Sequence, residues 1–361
     1  MSKLDETRNK INQIDQEMAR LFEERMACSK EVAEYKKERA LPILDKEREL
    51  SVINKNLEYI KEDIIKEYYT DFLKDVMRLS RNYQERLNSG QKIAYCGTEG
   101  AFAHIAAKKM FAEANYVAYP SFKEAYEAVE NGECDSAVLP LENSYAGDVG
   151  IVMDLIFQGS LSINQVIELE VTHNLMAKKG TKIEQIKKVI SHEQALNQCM
   201  NYINERNYEA VEATNTAVAA KLVASSNDDS LAAIASIETA SLYDLEVLDK
   251  NINSKSNNTT RFGAFSKISN EKSSQGKVGE HFIIMFTVKN EAGALAKTLN
   301  IIGSYGFNMR SLRSRPLKEL IWNYYFYVEL EGNASSPEGK DMLRALNVFC
   351  DKLKLVGAYS L

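Results

Sequence analysis

Two cations stand where a helix would be expected to bury apolar side chains. Turned at about 100° per residue, Ile11, Ile14, Met18, Leu21, Arg25, Val32 and Lys36 fall within an arc of about 80°. A second stripe, Leu73, Val76, Met77, Ser80, Gln84 and Leu87, also mixes polar side chains with apolar ones. Burying a charge or an amide is costly unless something pairs with it. An anionic ligand inside a helical bundle would supply the pairing. Buried carboxylates, or cations snorkelling to water, would do so equally well. Arginine forks suit carboxylates and a lysine serves as a point donor, so the chemistry open to this set is positioning and electrostatic stabilisation of an anion. Farther along, hydroxyls and amides gather at Asn143-Ser144, Asn215-Thr216 and Asn258-Thr259-Thr260. Each of the first two pairs also reads as an ordinary helix N-cap.

The elements that must position these groups fall into three blocks. Residues 1 to about 88 hold no glycine and one proline, Pro42, and their helical apolar spacing predicts three helices. Asn88-Ser89-Gly90 closes that block. From Lys92 to about Lys267, short apolar runs such as Ile93-Ala94-Tyr95 alternate with amphipathic segments, which predicts α/β structure. Ser269 to Glu280 has little to bury and reads as a linker. The remainder spells βαββαβ, a ferredoxin-like order: a run at 282–288, a helix around Leu295, Leu299 and Ile302, strands near 309–314 and 322–330, a helix from about Pro337 and a strand near 353–359.

Composition sets the surroundings. A chain of 361 residues exceeds what one core usually organises. A formal charge of −6 with scattered lysines and arginines argues against a nucleic-acid partner. No apolar run approaches a membrane span, and the charged Lys3, Asp5, Glu6 and Arg8 are unlike a signal peptide, so a cytoplasmic protein is expected. The five cysteines are scattered and form no CxxC or Cys/His cluster, which predicts reduced thiols and no metal site. No cofactor is expected. Gly97-Thr98-Glu99-Gly100 lacks the GxGxxG spacing of a dinucleotide site, which weighs against a dehydrogenase.

The first block reads Leu4-x-x-x-Arg8-x-x-Ile11, Ile14-Asp15, Glu24-Arg25, Lys36, Pro42-x-x-x-Asp45-x-x-Arg48-Glu49 and Ser80-x-x-x-Gln84. In this it resembles the all-helical chorismate mutases along its whole length. The resemblance implies that Arg25, and Arg8 reaching into the partner of an interlocked dimer, hold the two carboxylates of chorismate, with Arg48 supporting that charge. It implies that Lys36 and Gln84 donate to the ether oxygen, and that Asp45, Glu49 and Ser80 fix the ring hydroxyl and its network. A pericyclic rearrangement needs a compact conformer and donors aimed at the breaking C–O bond, with no nucleophile, base or metal.

The second block carries Gly97-Thr98-Glu99-Gly100-Ala101-Phe102, Pro140-Leu141-Glu142-Asn143-Ser144, Ser191-His192-Glu193-Gln194-Ala195-Leu196, Asn215-Thr216-Ala217-Val218-Ala219-Ala220 and Asn258-Thr259-Thr260-Arg261-Phe262. Five motifs in this order are similar to the prephenate dehydratases, whose fold is two α/β lobes around a cleft, like periplasmic binding proteins. Thr260 would protonate or hydrogen-bond the leaving hydroxyl, with Arg261 and Phe262 shaping the strand beside it. Asn143, Ser144, His192, Gln194 and Thr216 would bind the carboxylates or the ring of prephenate. Thr98 and Glu193 stand where that family often has proline. A lobed domain that merely binds an aromatic acid is the alternative, against which Thr260 speaks.

From about His281 onward the chain resembles the ACT domains that bind amino acids. That resemblance implies an effector site around Gly293, Ala294, Leu295 and Asn308, together with Arg313-Ser314-Arg315; a purely structural dimerisation module is the alternative. Ala292 replaces the usual proline and Arg313 the usual glutamate. The expectation is therefore a bifunctional enzyme of phenylalanine synthesis. Its mutase would occupy 1–88, its dehydratase 91–268 and its ACT domain 280–361. It would be a homodimer or homotetramer, acting on chorismate and prephenate and responding to phenylalanine.

Overall fold

The computed structural model describes residues 2–254, 257–269, 281–317 and 323–360. The expected linker lies almost wholly outside them. The chain divides into two compact units, residues 1–92 with 113–115, and the rest.

The first unit holds α1 (Lys3–Glu38), α2 (Lys46–Leu57) and α3 (Asp63–Ser89). A capping box starts α1, in which Ser2 Oγ accepts from Asp5 N and the Asp5 carboxylate accepts from Ser2 N. Asp45 caps α2 by accepting from Arg48 N at 2.9 Å. The stripe expected on α3 is buried at Leu73, Val76, Met77, Ser80 and Gln84, while Leu87 is exposed. The stripe expected on α1 is not. Only Ser29 and Ala33 of that helix are buried, and Ile11, Ile14, Met18 and Leu21 are between 46% and 58% exposed. The expectation of a buried stripe is corrected for a single chain: these side chains find no cover within it, because α1 is packed only in its C-terminal third.

The second unit begins with a sheet ordered β2-β1-β3-β11-β5. Its strands are β1 (Gln91–Cys96), β2 (Ala114–Tyr119), β3 (Ser136–Asn143), β5 (Ser162–Glu170) and β11 (Thr259–Ser266), with the short β4 (Gly147–Asp148) beside β3. Helices α4 (Phe102–Met110), α5 (Phe122–Glu130) and α6 (Gly150–Gln158) connect them. Ile93, Ala94, Ala137, Val138 and Leu139 are fully buried, the unbroken apolar run of strands covered on both faces. The chain then leaves for a second sheet ordered β10-β6-β9-β7-β8. It comprises β6 (Asn174–Lys178), β7 (Lys188–Ser191), β8 (Glu209–Glu212), β9 (Leu231–Ala235) and β10 (Leu245–Asp249). The helices of this lobe are α7 (Glu193–Gln198), α8 (Met200–Glu205), α9 (Thr216–Ser225) and α10 (Ile237–Leu242). The chain returns through β11, which lies antiparallel between β3 and β5, so two α/β lobes flank a cleft.

The last block is β12 (His281–Thr287), α11 (Ala294–Ser304), β13 (Asn308–Pro316), β14 (Tyr324–Glu331), α12 (Pro337–Phe349) and β15 (Lys352–Tyr359), with sheet order β13-β14-β12-β15. This is the βαββαβ order expected from the sequence. One face of the sheet closes on its own two helices through Phe282, Ile284, Phe286 and Val328. The other face, through Ile283, Met285, Tyr325, Tyr327 and Val356, joins the core of the first lobe. Gly357 (φ +148°) allows that approach, since a Cβ there would sit 2.2 Å from Ile163 O.

Charge crosses the same junction. Arg261 of β11 forks onto Glu329 of β14 at 2.8 and 2.9 Å, and Tyr359 donates to the same carboxylate at 2.6 Å. Glu329 is fully buried. Burial alone would raise its pKa, but the bonds from Arg261 and Tyr359 outweigh that and hold it below the usual glutamate range. The ion pair is therefore in place at neutral pH and is lost only as pH falls through that depressed value. Arg261→Leu strands a buried carboxylate and should destabilise the second unit by about 3–5 kcal/mol, read from its denaturant midpoint. A double change to Arg261→Leu with Glu329→Leu should recover most of that loss; a double variant no better than the single would sink this account.

Candidate functional site

In the helical unit, Arg25 donates to the Ser80 hydroxyl, which also lies 3.8 Å from Met26 Sδ, so the polar interruptions of the two stripes meet. Burial pulls the Arg25 pKa below the usual arginine range. Among the described residues no carboxylate pairs with it. Lys36 Nζ donates to the Ile43 carbonyl, and the buried Gln84 Oε1 has no partner. Arg25 and Lys36 are thus half-buried cations that, among the described residues, meet only neutral partners. Glu49 is paired with Arg81, and Asp45 is occupied as a helix cap. Arg8 and Arg48 lie exposed, outside the set that this chain brings together.

The second unit holds a cleft of about 840 Å³ between its two lobes. Period-2 alternation along β11 turns Thr260 and Phe262 into it, both nearly buried. The same alternation turns Arg261 away to Glu329, with Glu142 and Glu168 on the flanking strands, so Arg261 does not line the cleft as expected. Ser144 is corrected too. Its hydroxyl donates to Asn257 O at 2.9 Å and accepts from Thr259 N at 3.0 Å, which clips β3 to β11 outside the cleft lining.

Asn143 does line the cleft, but every hydrogen-bonding site it has is occupied. Its Oδ1 accepts from Tyr145 N and Ala146 N, both at 2.9 Å, in an Asx turn that ends β3. Its Nδ2 donates to Asn258 Oδ1 and to Thr260 Oγ1, both at 2.8 Å. A side chain so engaged cannot also bind a carboxylate, so the expected ligand role becomes an orienting one. His192 caps α7 by accepting from Gln194 N at 3.2 Å, and both side chains border the cleft. Thr216 opens α9 behind its cap Asn215, whose Oδ1 accepts from Val218 N at 2.8 Å. A helix start of this kind offers free backbone N–H groups to an anion.

Two cleft residues escaped the sequence reading. His173, 2% exposed, lies 2.8 Å from Gln198 Oε1 through its Nε2, and Asn258 donates to the same oxygen at 2.9 Å. Gln198 could have been found, since it lies just beyond the Ser191 to Leu196 motif. His173 follows β5 in a stretch with no turn or motif signal.

In the last block Gly293 takes a left-handed conformation (φ +82°) at the start of α11, next to Ala294 and the half-buried Leu295. Asn308 donates to Glu331 at 2.9 Å. Arg313 and Arg315 share one side of β13, and both are engaged by the first lobe. Arg313 pairs with Glu142 at 2.6 Å and Asp148 at 2.8 Å, and Arg315 with Asp154 at 3.1 Å. Their expected service to an effector is corrected accordingly: carboxylates of the α/β block already take up these guanidinium groups. Ser314 points the other way and is exposed.

Comparison with known proteins finds two families along the chain. Residues 7–85 match the family of chorismate mutase type II, and residues 93–270 match that of prephenate dehydratase. A bifunctional chorismate mutase/prephenate dehydratase of Aquifex aeolicus is 31% identical over 99% of this chain and 98% of its own. One from Neisseria gonorrhoeae is 32% identical over 98% of this chain and 95% of its own. Among solved structures, a prephenate dehydratase from Arthrobacter aurescens in complex with L-Phe aligns at a TM-score of 0.67 and 25% identity, covering 75% of this chain and 90% of the other.

Proposed function

The chain belongs to the bifunctional chorismate mutase/prephenate dehydratase family, and on that premise we propose how its residues divide the work. It rearranges chorismate to prephenate and converts prephenate to phenylpyruvate in phenylalanine synthesis, under feedback by phenylalanine. We assign the first step to residues 1–88 and the second to 91–268, with 280–361 as an ACT domain that receives phenylalanine. The location is cytoplasmic on this reading; among the described residues no helix is long and apolar enough to cross a membrane.

The mutase site is built around the half-buried Arg25 and Lys36. Arg25 clamps one carboxylate of chorismate, Lys36 and Gln84 meet the ether oxygen, and Ser80 holds Arg25 in place. Arg8 and the bare apolar side of α1 serve a second copy of the chain, in a homodimer or a larger assembly whose two mutase sites each draw on both protomers. That arrangement gives Ile11, Ile14, Met18 and Leu21 something to bury against. Glu49, paired with Arg81, completes the polar surround.

For dehydration, one observation carries the reading: Asn143 donates to Thr260 Oγ1, so the Thr260 hydroxyl proton is free to point into the cleft. There it meets the departing ring hydroxyl. The electrons of the breaking C–CO₂⁻ bond flow into the ring, the C–O bond cleaves, and the departing oxygen leaves as water with one proton taken up. The net change consumes one proton and releases carbon dioxide, water and phenylpyruvate. No strong base is required, because aromatisation drives the step and the protein supplies a donor and a fixed geometry. The starts of α7 and α9, with Gln194 and Thr216, face the carboxylates.

Purified protein given chorismate alone should accumulate prephenate briefly and then phenylpyruvate, and added phenylalanine should slow the second phase. Unchanged chorismate would overturn the reading. Prephenate accumulating without phenylpyruvate would remove its second half, and a second phase indifferent to saturating phenylalanine would remove the effector.

A further inference from the structure

The proton of a buried histidine can be placed from the amides around it. Asn143 is anchored by the backbone: its Oδ1 takes two N–H groups of the Asx turn, so its Nδ2 must face Asn258 and Thr260. Asn258 therefore presents Oδ1 to Asn143 and Nδ2 to Gln198. Gln198 in turn presents Oε1 to Asn258 and to His173, whose Nε2 lies 2.8 Å away. An oxygen facing that nitrogen requires a hydrogen on it, so His173 carries its proton on Nε2. The remaining ring nitrogen agrees. Nδ1 is buried without a partner, which a bare acceptor tolerates better than an N–H would. Burial lowers the His173 pKa and the bond to Gln198 opposes that, so the ring is neutral.

The polarity has a consequence at the cleft. With Oε1 taken by two donors, the Gln198 Nε2 group is left over, and Gln198 lines the cleft. Removing the His173 donor lets the Gln198 amide turn over. Asn258 would have to turn with it and set an N–H against the Asn143 N–H, pushing Asn143 off Thr260. We infer that His173, as the Nε2–H tautomer, is a positioning residue for dehydration, holding the chain Gln198, Asn258, Asn143 so that the Gln198 amide N–H and the Thr260 hydroxyl both face prephenate. The inference rests on Thr260 being the donor.

The test uses the whole chain with prephenate as substrate. His173→Leu should lower dehydratase kcat/KM by about 10–100-fold, the scale expected when reacting groups are misplaced, while chorismate rearrangement by the same preparation is unchanged. His173→Gln, whose amide N–H reaches the same oxygen, should restore most of the loss. Wild-type rates in His173→Leu, or equal losses in a folded His173→Gln, would overturn the inference. If His173→Leu does not fold, ¹⁵N spectra of the wild-type imidazoles decide: four histidines are present, and an Nδ1–H tautomer at His173 overturns it while Nε2–H supports it. Thr260→Val separates this from the underlying reading. Full activity in Thr260→Val removes the donor role itself, whereas a dead Thr260→Val beside an unimpaired His173→Leu removes only the part given to His173.

Discussion

Thr260→Val is expected to turn the chain into a mutase that stops at prephenate. Valine keeps the shape of threonine and the strand propensity of β11, so the register with β3 and β5 should survive. What disappears is one hydroxyl, the acceptor for Asn143 and the donor facing the cleft. A positioned proton donor is worth about 10²–10⁴-fold, and phenylpyruvate formation should fall by that much with little change in prephenate KM. Chorismate consumption should be untouched. A Thr260→Val protein that still delivers phenylpyruvate from chorismate at the original rate would show that the leaving hydroxyl departs without help from this residue.

Arg25→Ala should have the opposite effect. Here the guanidinium is half-buried against Ser80 with no carboxylate partner among the described residues, so its charge is committed to whatever anion enters. Removing a preorganised charge of this kind costs about 10²–10³-fold in rate, and dehydration of supplied prephenate should continue unchanged. Because Arg25 is a half-buried cation with no carboxylate beside it among the described residues, Arg25→Ala should not lower the stability of the helical unit; a large loss of stability would mean the arginine is structural instead. Arg8→Ala should be equally inactive as a mutase. Mixing Arg8→Ala and Arg25→Ala chains under conditions that allow exchange should restore part of the activity, since hybrid dimers contain one intact site. No recovery on exchange would argue that each mutase site is built from one chain.

The junction between the C-terminal block and the first lobe gives regulation a physical route. Arg313 holds Glu142 and Asp148, and Asp148 borders the cleft on the short β4 strand beside β3. Arg261, the neighbour of Thr260, is held by Glu329 of the C-terminal sheet. A ligand that shifts that sheet would act on both flanks of the dehydratase site. Such a shift requires different affinities for the ligand in the two states, and the coupling would then run both ways.

Much of this was legible from residue order. The glycine-free opening block, its three helices and the polar interruptions at Arg25, Ser80 and Gln84 follow from a 3.6-residue period, which depends only on local geometry. Thr260 was legible because it sits within a compact motif, and the βαββαβ order of the last block because runs and turn residues mark it locally. Tertiary structure decided what the side chains are free to do. Asn143 and Ser144 look like ligands in sequence, yet one is exhausted by two backbone N–H groups and three acceptors, and the other is a clip between strands. Arg261 and Arg313 look like anion binders, yet carboxylates from strands distant in sequence neutralise them. His173 and Gln198 join the site only because the chain crosses to a second lobe and returns through β11. Spacing along a chain records periodicity and local turns. Which donor meets which acceptor depends on contacts between distant segments, where the cost of leaving a buried polar group unpaired selects one arrangement.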